Sequence, residues 1–529
     1  MNKTMRGTLL ALIAAVLLFT AACSGSGNGN GGTGTNEDGS AGSSGQTETG
    51  SGKEEPVKIK IMANHEQANL SATDKKWVEQ VQKDLNVELE FDIPPVTGYQ
   101  ERVQLMLASG DYPDLVYFPA TNDQSFLNAV RDGLIVPVND YIKNEESLMK
   151  YTYDVSWNAL KVQQDEKIYG IPRTTVIRND AFWVRKDWLK NIGFAIPDNS
   201  EITIDQFTEI LTKFTKNDPD GNGKDDTYGY AAFADPNKVL QPILTSQFGE
   251  LGWQKSEGGD FEYMDAMFDR SSGAYKNSLA YTAQLSKDGL LDPDSAVNNS
   301  TTSRERFIRG ITGVMSGFAG HYGWHADELK KINPDADITY LFVKNEKDDK
   351  VEGVGYGVGL WGFWGLTKNA KNPQKVVDVL NYYLKDDVYP TMLIGYEGLD
   401  YTKQDGKMTA VEDKELAPVR LNTMRRAGDT EIYFSLTTPQ DIIDMSTPWL
   451  NKSVESVVLS KNLDFTPEAA KKPDYMDYKK VWDQTIMKIV LGQTPVDEFD
   501  KLLAGWYDNG GEEYVKEMNE FIKSTDSGQ

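Results

Sequence analysis

The stretch Asp218-Pro219-Asp220-Gly221-Asn222-Gly223-Lys224-Asp225-Asp226 sets oxygen-bearing side chains at alternate positions, with a glycine at the sixth. That pattern suits a hard cation. Calcium takes six to eight oxygens at roughly 2.3–2.6 Å, and a glycine at the sharp turn lets one short loop fold around the ion. Asp218, Asp220, Asn222 and Asp226 would ligate through side chains and Lys224 through its carbonyl. The loop is not an EF-hand, because its twelfth position is Gly229 where a bidentate glutamate is required. No activated nucleophile stands nearby, so the ion's role would be structural. The bland alternative is a polar turn.

Flat aromatic rings beside planar donors are the chemistry of saccharide binding, since a sugar ring offers apolar C–H faces inside a girdle of hydroxyls. Trp361 and Trp364 lie in Gly359-Leu360-Trp361-Gly362-Phe363-Trp364-Gly365, where glycines allow close backbone approach. Trp324 ends the glycine-punctuated run 316–324, and Trp253 follows Phe248-Gly249. Trp183 and Arg185 share one face of a short strand by alternation. His65 and Glu66 follow the first strand, and Tyr99 precedes a helix. Trp77, Trp482 and Trp506 instead fall on apolar helical faces and read as core.

Enzymatic chemistry finds little support. His321 and His325 have a zinc-chelating spacing on a helix, but their glycine-rich surroundings disfavour one, and neither an H-E-x-x-H motif nor a cysteine partner accompanies them. There is no nucleophile elbow, and Gly353-Val354-Gly355-Tyr356-Gly357 lacks the rest of a dinucleotide fingerprint. A glycoside hydrolase needs only two carboxylates about 5–9.5 Å apart. With 80 acidic residues that alternative stays open, as does a sensor that presents its ligand to a membrane receptor.

Cys23 is the sole cysteine in the chain, and its position gives it a role. Lys3 and Arg6 precede an apolar run at 9–19, and Thr20, Ala21 and Ala22 lead into the thiol. A run of about eleven residues is too short to span a bilayer and reads as a secretory signal over residues 1–22. Cys23 would then be the acylated first residue of the mature chain. Residues 24–52 are almost wholly Gly, Ser, Thr, Asn and acids, a composition that cannot bury a core. Lipidated Cys23 and the segment to residue 56 form a tether, whose flexible part reaches roughly 30 Å.

Beyond the tether, 25 tyrosines, 20 phenylalanines and 11 tryptophans supply more apolar area than one ordinary domain needs, so two lobes are expected. The formal charge of −25 argues against nucleic acid and anionic lipid. It favours a neutral or cationic ligand over a polyanion unless local arginines override it, and the basic residues gather only in pairs such as Arg425 and Arg426.

Residues 57–62 and 87–93 read as strands flanking a helix that carries Trp77, Val78, Val81 and Leu85; a second helix precedes a strand at 115–118. This is the opening of a parallel α/β sheet. Thr203 and Gln206 form a capping box, and Pro373 and Pro495 each mark a helix start.

Ala108-Ser109-Gly110-Asp111-Tyr112-Pro113-Asp114-Leu115, Tyr169-Gly170-Ile171-Pro172, Arg185-Lys186-Asp187-Trp188-Leu189 and Gly395-Tyr396-Glu397-Gly398-Leu399-Asp400-Tyr401 follow one another in the chain. In that order they resemble the family 1 solute-binding proteins of oligosaccharide ABC importers, especially the branch of lipoprotein LplA and the alginate-oligosaccharide-binding proteins. The resemblance implies a periplasmic-binding-protein-like type II fold: two α/β lobes joined by a multi-segment hinge that closes on the ligand. It places crossings at 168–174 and 360–367 and a third within 400–428. The first lobe would hold 57–170 and about 367–425, the second 171–366 and about 426–529. It also implies that Arg185 faces the ligand, that the 316–324 loop lines the cleft, and that Thr227 stands where alginate-binding relatives carry an acid. Function follows as an expectation: a monomeric, lipid-anchored, non-enzymatic subunit on the outer face of the cytoplasmic membrane. It would pass a neutral oligosaccharide to permease subunits served by a cytoplasmic ATPase, a uronate or peptide ligand remaining open.

Overall fold

Alternating branched residues in Val57–Met62 (β1) bury Ile59 and Ile61 and leave Lys58 and Lys60 in solvent, which fixes the strand's register on a core. The structure is a computed structural model. It describes residues 55–526 except 66–68, 96, 164, 179, 233–241, 322–327, 356, 412–414, 435–437 and 439. Cys23, Glu66 and Trp324, all expected to have functional roles, lie outside the described residues.

β1 pairs in parallel with Val87–Asp92 (β2) and with Leu115–Phe118 (β3). The helix Ala72–Leu85 connects the first two, capped by the Ser71 hydroxyl, which accepts from the Asp74 amide. Ile171–Thr174 (β4) completes the sheet through Leu360–Leu366, giving the order β2-β1-β3-β13-β4 with Leu360–Leu366 as β13. The last two strands run antiparallel to their neighbours.

A second sheet has Ala181–Arg185 (β5) at its centre. Glu201–Ile202 (β6), Tyr228–Tyr230 (β7), Thr312–Gly317 (β10) and Ile338–Val343 (β11) complete it in the order β6-β11-β5-β10-β7. Every residue of β11 is buried because both faces are covered: Leu341 and Val343 enter one core, Ile338, Tyr340 and Phe342 the other. The helix Ile204–Lys216 packs on the first of these faces behind the Thr203–Gln206 capping box.

A fourth core is mostly helical. The hairpin Trp253–Lys255 (β8) and Tyr263–Asp265 (β9) joins the helices Ala274–Lys287, Pro473–Val490, Glu498–Trp506 and Glu512–Asp526 around Trp482 and Trp506. Pro373 opens its helix as expected; Pro495 does not, and lies in the turn before the helix that Asp497 begins.

Two α/β lobes thus sit within one unit spanning residues 54–529. The chain passes from the first sheet to the second after β4 and returns before β13, with the short strand Gly353–Val354 (β12) on the way. It passes again between Met424, in the first core, and Tyr433, in the third. β4 and β13 therefore belong to the first sheet, whereas the motif positions put both in the second lobe. Their pairing with each other and with β3 is the reason. Among the described residues no helix is long and apolar enough to cross a membrane.

Candidate binding site

The site grows from one irregularity in β13. Leu360 pairs with Thr174 and Phe363 with Pro172, so β13 carries one residue more than β4 between these points. Such a bulge re-aims a side chain. Gly362 makes it possible: its φ is +79°, and a Cβ there would lie 2.2 Å from the Tyr117 hydroxyl. That hydroxyl donates to the Trp361 carbonyl at 3.0 Å. The result is a tryptophan on a buried sheet that is itself 43 % exposed.

Two guanidiniums lie over that ring. Arg173, on β4, has its central carbon 4.1 Å from the Trp361 centroid, and Arg425, on the third passage, 3.9 Å. Arg173 also stands 5.3 Å from the Tyr117 ring. The Thr174 hydroxyl donates to the Arg425 carbonyl at 2.5 Å and ties the two passages together. Arg173 is 3 % exposed, its Nε has no hydrogen-bond partner, and it makes no ion pair among the described residues. Arg425 donates to Asn422 and to the Leu421 carbonyl and likewise meets no carboxylate in an ion pair. Burial holds both guanidiniums down to about 10, the charge of Arg425 adding to the effect on Arg173. Arg426 behaves differently, anchored by Asp386 at 2.8 Å.

His65, at the end of β1, adjoins this group. It is buried, and neither ring nitrogen has a hydrogen-bond partner among the described residues. Burial first, then the charge of Arg173, push it down to about 3, so it is neutral at physiological pH. On the second-lobe side, Tyr433 packs on Phe318 at 4.7 Å, and Arg178 lies over Phe318 at 3.9 Å. Arg425 follows Met424 of the first core on the passage that ends at Tyr433 of the third, so this passage links the cluster to the second lobe.

The structure places five of the expected contacts in packing positions. Trp364 is fully buried, and its indole N–H donates to the Thr423 carbonyl at 2.8 Å. Trp183 lies in the third core against Tyr340 and Phe307. Trp253 lies in the fourth core. Tyr99 is buried and donates to the Tyr117 carbonyl at 2.9 Å. Arg185 grips Asp187 with two bonds of 2.8 and 2.5 Å at the start of the helix Lys186–Asn191, and is 1 % exposed. Trp361 and His65 do join the cluster. Arg173, Tyr117 and Arg425 complete it without a sequence signal of their own, although Arg173 directly follows the Tyr169–Pro172 motif.

The acidic loop closes on itself. The Asn222 amide donates to Asp220 at 2.9 Å and to Asp226 at 3.1 Å, while the Asn222 and Gly223 backbone N–H groups donate to Asp218. Burial, then the nearby Asp218 and Asp226 carboxyls, raise the Asp220 pKa. Among the described residues no three His, Cys, Asp or Glu side chains are placed to hold a metal, because Asn222 sits between the acids. Thr227 is buried, and its hydroxyl donates to the Phe214 carbonyl, so it cannot replace a missing ligand.

Two mixed sheets connected by several passages, with polar and aromatic side chains gathered where those passages run, define a two-lobed binding-protein fold. Residues 65–390, more than half the chain, match the model of the bacterial extracellular solute-binding proteins, and the chain belongs to that family. It is an extracellular solute-binding protein and not an enzyme. It is 25 % identical over 452 residues to the polygalacturonan/rhamnogalacturonan-binding protein YtcQ of Bacillus subtilis, covering 84 % of this chain and 88 % of that one. It is 23 % identical over 494 residues to the lipoprotein LipO of the same organism, covering 88 % and 92 %. The crystal structure of the alginate-binding protein AlgQ2 without calcium ion shares the fold, with a TM-score of 0.60, 19 % identity and coverage of 89 % and 99 %.

Proposed function

We propose that this chain is the lipid-anchored receptor subunit of an ABC importer, capturing an oligosaccharide between its lobes and delivering it to a permease. Trp361 carries the reading. A half-exposed indole, turned out of a sheet by a bulge and set among planar donors where the lobes meet, suits the alternating apolar and hydroxylated surface of a sugar. YtcQ, related over most of its length, is a polysaccharide-binding protein. A ligand touching both lobes stabilises the closed form by contacts the open form lacks, and so shifts a hinge equilibrium. LipO, a lipoprotein, supports acylation of Cys23.

Titration calorimetry of the mature chain against a panel of oligosaccharides tests this. One saccharide should bind at a one-to-one ratio and be recovered unchanged by mass spectrometry, and Trp361→Ala should weaken it by at least tenfold. A panel in which nothing binds, or in which shorter products accumulate, would overturn the reading.

The 218–226 loop fits calcium. Asp220 and Asp226 both accept from the Asn222 amide and Asp218 from its backbone N–H, so rotation of that amide and a small inward shift of the three carboxylates would bring four side-chain oxygens around an ion. The Lys224 carbonyl completes the protein's set. The loop is fastened by Asn191 to the Pro219 carbonyl at 2.7 Å and by Thr227 to the helix Ile204–Lys216. Ion binding would therefore stiffen the second lobe. Removing calcium with chelator should lower Tm by several degrees, and Asp220→Asn should abolish that response.

A further inference from the structure

We propose that the saccharide is acidic, and that Arg173 and Arg425 receive a carboxylate of a uronic-acid unit beside Trp361. This rests on the oligosaccharide reading above and names its chemical class, and it reverses the expectation of a neutral ligand drawn from the net charge.

The argument begins with the cost of the two arginines. A buried guanidinium is normally paired with a carboxylate, and this protein follows the rule elsewhere. Arg185 grips Asp187, Arg306 lies on Asp292 and Asp294, Arg420 meets Asp400 at 2.7 Å, and Arg426 meets Asp386. Arg173 and Arg425 break it together. They repel each other and share one indole; Arg425 has hydrogen bonds to Asn422 and the Leu421 carbonyl, but among the described residues neither cation has a carboxylate in an ion pair, and a ring face attracts a cation only weakly. Asp429, the carboxylate acting on Arg425, is committed to the Tyr389 hydroxyl and the Glu431 amide.

His65 adds no anion, since it is neutral and can only offer a donor or acceptor. Tyr117 likewise spends its hydroxyl on the Trp361 carbonyl. In a chain rich in acidic residues, none of those described forms an ion pair with either of these two cations. The absence marks where an incoming anion belongs. A planar carboxylate matches the guanidinium fork, and the sugar ring that bears it can lie along the indole.

The experiment compares a trigalacturonate with its fully methyl-esterified form, which has the same rings and hydroxyls without charge, and with a neutral hexose trimer. Calorimetry on the wild-type mature chain should show the acid binding at least 50-fold more tightly than the ester. In Arg173→Gln or Arg425→Gln that preference should collapse towards unity, and Arg425→Lys should restore part of it. Circular dichroism melts check that each variant folds; the acid-to-ester comparison needs no variant. Equal binding of acid and ester, or tighter binding of the neutral trimer, overturns this proposal and leaves the oligosaccharide reading standing. No binding of any saccharide overturns both.

Discussion

His65 shows how one side chain records its surroundings. Its ordinary pKa is 6.5, and in the folded protein it falls to about 3 through burial and the nearby Arg173 charge. Between these values the unfolded chain holds a proton that the folded chain refuses, so stability must fall as pH drops from about 6.5 towards 3. His65→Gln removes this contribution. Urea midpoints measured at pH 7 and pH 4.5 should draw closer together in the variant than in the wild type. The sequence shows His65 only as a residue following a strand, and nothing in it pairs His65 with Arg173, which stands one position past the Tyr169–Pro172 motif. Net charge does not bear on this point, because a total of −25 does not locate two cations that meet no carboxylate in an ion pair among the described residues. Arg420 shows the opposite case. Its pair with Asp400 is enclosed, the second Asp400 oxygen accepts from Thr73 and the Tyr396 amide, and the Gly395–Tyr401 motif is thereby explained as structure.

At the scale of elements, what was local was legible. The capping box at Thr203, the proline at the head of Pro373–Tyr382 and the alternation in β1 each involve residues within one turn or strand, and each is found where expected. Pairing between distant segments was not. Thr174 and Arg425 meet across 251 positions, and the bulge opposite Arg173 depends on the register of two strands the sequence does not align. Tryptophan content likewise does not separate Trp361, which stands in the bulge, from Trp364, which pairs regularly and is buried. The bulge makes its own prediction. Gly362→Ala places a methyl group against the Tyr117 hydroxyl in a backbone conformation that disfavours a side chain. It should cost about 1–3 kcal/mol in a urea titration and lose oligosaccharide affinity beyond what instability explains.

For the whole molecule, the proposed acylation of Cys23 would set where binding happens: a diacylglyceryl group with a further acyl chain would bury enough methylenes for durable attachment. Cys23→Ser should move the protein from the membrane pellet into the culture medium, read by immunoblot of the two fractions, with binding in solution unchanged.

The interleaving of the first sheet reaches back to the protein's birth. β13 stands between β3 and β4, so β4 has no partner until some 190 residues after it have emerged from the ribosome. Contacts so distant along the chain close slowly. A polypeptide whose sheet closes this late stays extended for longer, a state that suits threading through a narrow export channel.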